Sequence, residues 1–240
     1  MVPAPAPAPA PSPAVPPAQR LLAAWNLLVL ALWLAGPFLA AGDPWWARGW
    51  AHLALLAACW AGHRAFVARR NPMLLERRRR IGPGTQRWDL LWNAAFWPLM
   101  AAIAVTGGLG ARGRSPGPAW AWAWPAGAAL VAAGFALSAV AMAANPFFEG
   151  TVRIQLEAGQ RPISAGPYAR IRHPGYAGLS LWALGTPLLL GSALAVPPAL
   201  AAAAWVALRT ALEDRLLLRE LPGYAEYAAR VRSRLVPFGW

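Results

Sequence analysis

At 240 residues the chain has the length of one or two ordinary domains. Its composition excludes an ordinary soluble globule: 58% of the residues are hydrophobic, fifteen are Trp, and several apolar runs approach the ~20 residues that cross a bilayer. A net charge of +13 would point to nucleic acid in a soluble chain, but here the basic residues stand between the apolar runs, where they orient a membrane protein, so no nucleic-acid partner is expected.

All 22 basic residues are Arg and none is Lys, which in so Ala-, Pro- and Gly-rich a chain reads as compositional bias. The lone Cys59 has no partner for an internal disulfide. His52, His63 and His173 lack neighbours at ligand spacing, so no metal site is expected.

Residues 1–19 read as a disordered tail, because the alternating Pro/Ala tract over 2–18 removes donors and favours extended backbone. It lacks the basic start and apolar core of a signal peptide. Four membrane spans are expected between 20 and 144. The first covers about 21–41, kinked at Pro37, and the second about 45–67, with Trp45, Trp46 and Trp50 suited to an interfacial belt. Arg64, Arg69, Arg70, Arg77–Arg80 and Arg87 follow, opposed only by Glu76 within 64–80, and mark a cytoplasmic loop. The Arg77–Arg80 run suits anionic lipid, though an orientation signal explains it more simply. The third span covers about 88–109 and the fourth about 119–144, closed by Asn145-Pro146.

Residues 147–175 form the longest polar segment between spans, and within it 151–156 alternates in the manner of a short extended piece. The last apolar block reads as a helical hairpin, about 176–190 and 198–221, broken by Pro187 and Pro197-Pro198. After Pro222-Gly223, Tyr224, Tyr227 and Val231 share one face of a short amphipathic helix. The expected fold is thus an all-α polytopic membrane protein of five or six transmembrane helices, the last two a hairpin, with a C-terminal pocket on the cytoplasmic side over 145–240.

Both ends of that hairpin leave the same face of the membrane. The stretch 166–178 enters its first arm; Arg209, Glu213 and Asp214 leave its second. A cavity between them would offer donors from Arg172 and His173, carboxylates from Glu213 and Asp214, and aromatic faces from Tyr168 and Tyr176. Such a set suits an amino-acid-like zwitterion. The same charges serve equally well as a structural ion-pair cluster fixing the hairpin. Tyr224 and Tyr227 read as packing residues.

Asn145-Pro146-Phe147-Phe148, Val152-Arg153-Ile154-Gln155, Gly166-Pro167-Tyr168, Arg172-His173-Pro174-Gly175-Tyr176-Ala177-Gly178, Glu213-Asp214 and Tyr224-Ala225-Glu226-Tyr227 together resemble the isoprenylcysteine carboxyl methyltransferase family and, more broadly, membrane phospholipid methyltransferases. Asp214 stands where many relatives carry a second Glu, and Gln160 where His is common. The resemblance implies an integral membrane enzyme, expected in a bacterial inner membrane, whose methyl donor is S-adenosylmethionine and whose product is S-adenosylhomocysteine.

Carried over by motif, the cofactor contacts would be Gln155, Gln160, Arg161, Pro162, Ile163, Tyr168, Arg172, His173, Pro174, Gly175, Tyr176, Glu213 and Asp214. The catalytic group would comprise Arg209, Glu213 and His173, with Arg209 beside the acceptor. That acceptor would be lipophilic or small: an isoprenylcysteine-like carboxylate, a lipid amine or a thiol, reached from among the membrane lipids. Two other classes share features with this chain: an NADPH-dependent, sterol-reductase-like membrane enzyme, and a membrane scaffold without turnover. Nothing in the sequence specifies the oligomeric state.

Overall fold

The computed structural model describes residues 17–78, 81–113 and 117–240. The Pro/Ala tract up to residue 16 and the pair Arg79-Arg80 lie outside the described residues. Nine α-helices occur among those described, with no β-strand: α1 (Pro17–Leu34), α2 (Gly36–Ala41), α3 (Ala47–Arg70), α4 (Pro72–Arg77), α5 (Arg87–Ala111), α6 (Pro118–Ala144), α7 (Pro174–Leu190), α8 (Val196–Glu220) and α9 (Tyr224–Arg230). Among the described residues, three segments are both long and apolar enough to cross a membrane: Arg87–Ala111, Trp122–Ala144 and Ala193–Glu220. Helix α3 has the length but carries Arg48, His52, His63 and Arg64, and α7 has only 17 residues.

The expected boundaries hold with local differences. The first apolar run is two helices, interrupted at Ala35 just ahead of Pro37, whose missing N–H cannot continue the ladder. Pro187 does not break α7; it stands in the last turn, and the helix ends at Gly191, whose left-handed φ of 71° closes it. Helix α6 stops because Asn145 Oδ1 accepts the Phe147 N–H at 2.9 Å and Pro146 has no donor to offer. Residues 151–156 form no strand: the Val152 carbonyl accepts the Gln86 N–H at 3.0 Å, and a short 3-10 turn, Leu156–Ala158, follows.

Helix α6 packs along α7, α7 and α5 against α8, and α3 against α6. The α6–α7 approach depends on two glycine pairs one heptad apart. A Cβ on Gly134 would strike the Gly178 carbonyl and one on Gly178 the Gly134 carbonyl; Gly127 and Gly185 face each other in the same way. Without side chains the two backbones touch, which is how helices associate closely where lipid supplies no hydrophobic drive. Between α5 and α8 the Trp92 indole N–H donates to the Trp205 carbonyl at 2.7 Å and the Trp205 N–H to the Trp92 carbonyl at 3.2 Å. Around this clasp lie Trp92 and Phe96, stacked at 4.6 Å, with Phe135, Trp182 and Trp60 beyond.

Gly134→Val or Gly178→Val is expected to push α6 and α7 apart and cost about 1–3 kcal/mol. Gly62→Ala in α3, where a Cβ meets nothing, should instead be neutral or stabilise by up to ~1 kcal/mol. Thermal unfolding of the detergent-solubilised variants checks both directions.

Candidate functional site

The polar end of the bundle is assembled around one carboxylate. Asp214, on α8, is fully buried. Arg172 grips it with Nε to Oδ1 and Nη2 to Oδ2, both at 2.8 Å. Tyr224 donates to Oδ1 at 2.9 Å, Arg234 Nε to Oδ2 at 2.9 Å, and His173 Nε2 lies 3.1 Å from Oδ1. Arg172 also donates to the carbonyls of Val231 and Arg232 at 2.8 and 2.9 Å. The backbone N–H groups of Arg172 and His173 donate to the Ser233 and Arg234 carbonyls at 2.9 and 3.0 Å. The loop before α7, the end of α8, α9 and the C-terminal segment are thereby one unit. The structural-cluster reading of Arg172 and Asp214 holds in this geometry, with Glu213 left outside it.

One residue before Asp214, Glu213 faces the other way, into a polar cavity of about 90 Å³. Its carboxylate accepts a short hydrogen bond from the Tyr176 hydroxyl, and the Tyr176 ring stacks on His173 at 5.7 Å. Of the expected contacts, Gln155, Gln160, Arg161, Pro162, Ile163, Tyr168, Arg172, His173, Gly175, Tyr176 and Glu213 all line this cavity. His173 and Glu213 therefore face one small volume. Pro174 and Asp214 do not line it, the first because it opens α7 and the second because its oxygens are turned to the cluster behind.

All four tyrosines of the chain stand in this wall. Tyr224 and Tyr227, expected only to pack, line the cavity as well as packing. Tyr227 donates to the Tyr168 carbonyl at 2.8 Å, and Asn145 Nδ2 donates to the Tyr168 hydroxyl at 3.3 Å. Burial raises the phenols of Tyr168 and Tyr224 well above their ordinary value, and the Asp214 charge raises Tyr224 further. Burial likewise pushes Tyr227 up to about 12. Burial works to lower the Arg172 pKa, but the Asp214 hydrogen bond and charge more than reverse it. Arg153 is raised by its hydrogen bond to Glu149 at 2.8 Å, and it also reaches Glu157 at 2.6 Å.

A second, larger cavity of about 360 Å³ lies beside the polar one, among the long apolar helices. Trp60, Trp92, Phe96, Trp97, Phe135 and Trp182 line it, with Arg64, Arg78, Asn93 and Arg209 among its polar residues. Phe148, Glu149, Gly175 and Tyr176 belong to both cavities and form the partition between them. Gly175 is required at this point: a Cβ there would enter the Phe148 ring. Arg209 is not in the polar cavity; its guanidinium lies over Trp92 at 4.3 Å and Tyr176 at 5.0 Å, on the wall of the apolar one.

Sequence reasoning missed two contributors from the first half of the chain. Asp89, at the start of α5, stands 2.8 Å from Arg209 Nε and accepts from Arg209 Nη2 at 3.2 Å. Arg78, part of the run read as an orientation signal, donates to the Phe148 and Glu149 carbonyls at 3.0 and 2.8 Å, while Arg77 reaches the Pro146 carbonyl at 3.5 Å. Asp89 had one legible signal, an acid in the first turn of an otherwise apolar span. Arg78 had none that separated it from its neighbours.

Residues 126–219 match the isoprenylcysteine carboxyl methyltransferase (ICMT) family. Two rice proteins, each named a probable protein-S-isoprenylcysteine O-methyltransferase, from Oryza sativa subsp. indica and subsp. japonica, are 37% identical to the chain over 94 residues. That stretch is 38% of this chain and 48% of each relative, so the chain spans about half the length of the curated relatives it matches. The resemblance carried by the motifs is borne out.

Two outcomes follow from the wall itself. Asp214→Ala leaves Arg172 and its partners buried and uncompensated, and should cost about 3–5 kcal/mol of stability; a melting temperature equal to wild type would contradict it. Tyr227 carries a raised folded-state value, about 12 against an ordinary 10. Its neutral form therefore stabilises the fold fully below pH 10, and that contribution is lost as pH rises toward 12. Thermal melts across pH 9–12 should fall in that window, less so in Tyr227→Phe.

Proposed function

Because residues 126–219 match the ICMT family, we propose that the chain is an integral membrane methyltransferase that takes S-adenosylmethionine into the polar cavity and a lipophilic acceptor into the apolar one. The observation that carries this reading is the shared partition. Two cavities of different character, one of mixed polar and aromatic lining and one mainly apolar, meet at Gly175 and Tyr176. Transfer between a zwitterionic donor and an apolar acceptor needs such a meeting of two sites.

The donor set fits the cofactor. Gln155 is buried with its Oε1 unpartnered while its Nε2 is held by the Phe147 carbonyl at 3.0 Å, so an acceptor atom waits in the wall for a donor on the ligand. Glu213 supplies a carboxylate for an ammonium, and Arg161 supplies a donor for a carboxylate, while Arg172 and His173, held on Asp214, add positive character to the wall. The cavity volume of about 90 Å³ is below the roughly 300–1,000 Å³ of ordinary ligand sites, so the connection 145–173, which has no α-helix, yields when the ligand enters. Segment 1–19 takes no part in this, and the catalytic unit is 145–240 with the spans of 20–144 as its apolar wall.

When bound, S-adenosylmethionine supplies a methyl group activated by a sulfonium. The chain's task is alignment and exclusion of water. Tyr176 and Gly175 set the approach between the cavities, Glu213 holds the Tyr176 hydroxyl, and Arg209 presents a cation to the acceptor's polar end. A carboxylate or thiolate acceptor needs no base and is stabilised by Arg209; an amine would need Glu213 or His173 to take its proton. The bonds from Arg77 and Arg78 place the basic connection beside the site, which supports a cytoplasmic orientation through the positive-inside bias. Helices α1–α3 and α7 complete five or six crossings.

Calorimetry with S-adenosylhomocysteine tests the polar cavity. Wild type should bind, and Glu213→Gln should lose at least tenfold, about 1.4 kcal/mol, while melting normally. Binding of NADPH instead of S-adenosylhomocysteine would replace this reading with the reductase. Mass spectrometry of membranes incubated with isotopically labelled S-adenosylmethionine then identifies the acceptor class.

A further inference from the structure

Asp89 lies outside the family match and lines neither cavity, yet it touches the walls of both. Its Oδ2 accepts the backbone N–H of Val152, a residue of the polar cavity, at 2.8 Å. Its other oxygen stands 2.8 Å from Nε of Arg209, a residue of the apolar cavity, and Oδ2 also receives Arg209 Nη2 at 3.2 Å. Arg209 Nη2 reaches on to the Gly150 carbonyl at 3.3 Å, so the acid, the cation and the segment 150–152 close a ring of contacts. Asn93, one turn along α5, donates to Asp89 Oδ2 at 3.3 Å and to its carbonyl at 2.9 Å, which fixes the carboxylate's direction. The side chain is fully buried. A carboxylate in an apolar span is costly unless matched, and here it is matched by the charge of Arg209 and by the Val152 amide.

We propose that Asp89 is a positioning residue that joins the two cavities: one carboxylate aims Arg209 at the acceptor and fixes Val152 at the cofactor. This rests on the methyltransferase reading for what the two cavities hold, while the joining itself rests on the contacts. The two roles separate by substitution. Asparagine keeps an oxygen for the Val152 N–H but removes the charge that orients Arg209; alanine removes both.

Asp89→Asn should therefore bind S-adenosylhomocysteine within about threefold of wild type, whereas Asp89→Ala should bind about tenfold or more weakly. In the labelled-membrane assay Asp89→Asn should still lose methylation by about 100-fold, as expected when a group at the reacting end is misaimed. A merely structural acid would instead lower melting temperature and affinity together in both variants, without this split. Wild-type affinity in Asp89→Ala, or wild-type methylation in Asp89→Asn, overturns the assignment. If wild type neither binds S-adenosylhomocysteine nor methylates, the proposed function fails on its own, and amide exchange decides the role of Asp89. Amides of 150–154 should then exchange faster in Asp89→Ala than in wild type and Asp89→Asn, and equal exchange in all three overturns it.

Discussion

The fully buried Asp214 carboxylate is the constraint on which the polar end of this protein depends. Alone it would not be tolerated beneath a helix bundle; it persists because Arg172, Arg234, Tyr224 and His173 converge on its two oxygens. Those partners come from three separate stretches of chain, so satisfying one charge brings together the loop before α7, α9 and the C-terminal segment. The cavity is the space left in front of that cluster, with Glu213 turned into it because its neighbour is turned away.

A second buried acid repeats the device beside the apolar cavity. Asp89 matches Arg209, and the pair lies against the aromatic rings of Trp92 and Tyr176. In a medium of low dielectric, unmatched charges are expelled and matched ones become rigid. The partition between the cavities is therefore held from both halves of the chain: Arg78 on the Phe148 and Glu149 carbonyls, Asp89 on Val152, and Gly175 pressed on Phe148. The first half is more than a hydrophobic anchor, for it supplies Trp60, Trp92, Phe96 and Trp97 to the aromatic cavity and two of the groups that shape the junction.

Much of this architecture is legible in the sequence. Spans and breaks follow from apolar run length and from proline and glycine, which act on the local backbone: Asn145-Pro146 ends α6 and Pro197-Pro198 opens α8 as expected. The motif residues Tyr168, His173, Tyr176 and Glu213 were legible as a group because they crowd the two ends of one hairpin, which short connection forces together. Arg78 was read as one of a run of like charges, and only its bonds to loop carbonyls distinguish it. Tyr224 and Tyr227 looked like packing because an amphipathic face has the same spacing whether it covers a core or lines a cavity.

Composition and spacing by themselves determined a helical membrane chain, the ends of its long helices, and a cluster of charge beside the last two, because these depend on interactions within a few residues and on the solvent each segment prefers. Only the tertiary structure decided that adjacent Glu213 and Asp214 have opposite tasks, one facing a cavity and one buried in a charge cluster. It alone paired Asp89 with Arg209 across 120 positions. Such choices turn on which side of a helix meets which neighbour, and that is settled by the packing of the whole bundle around charges that must find partners.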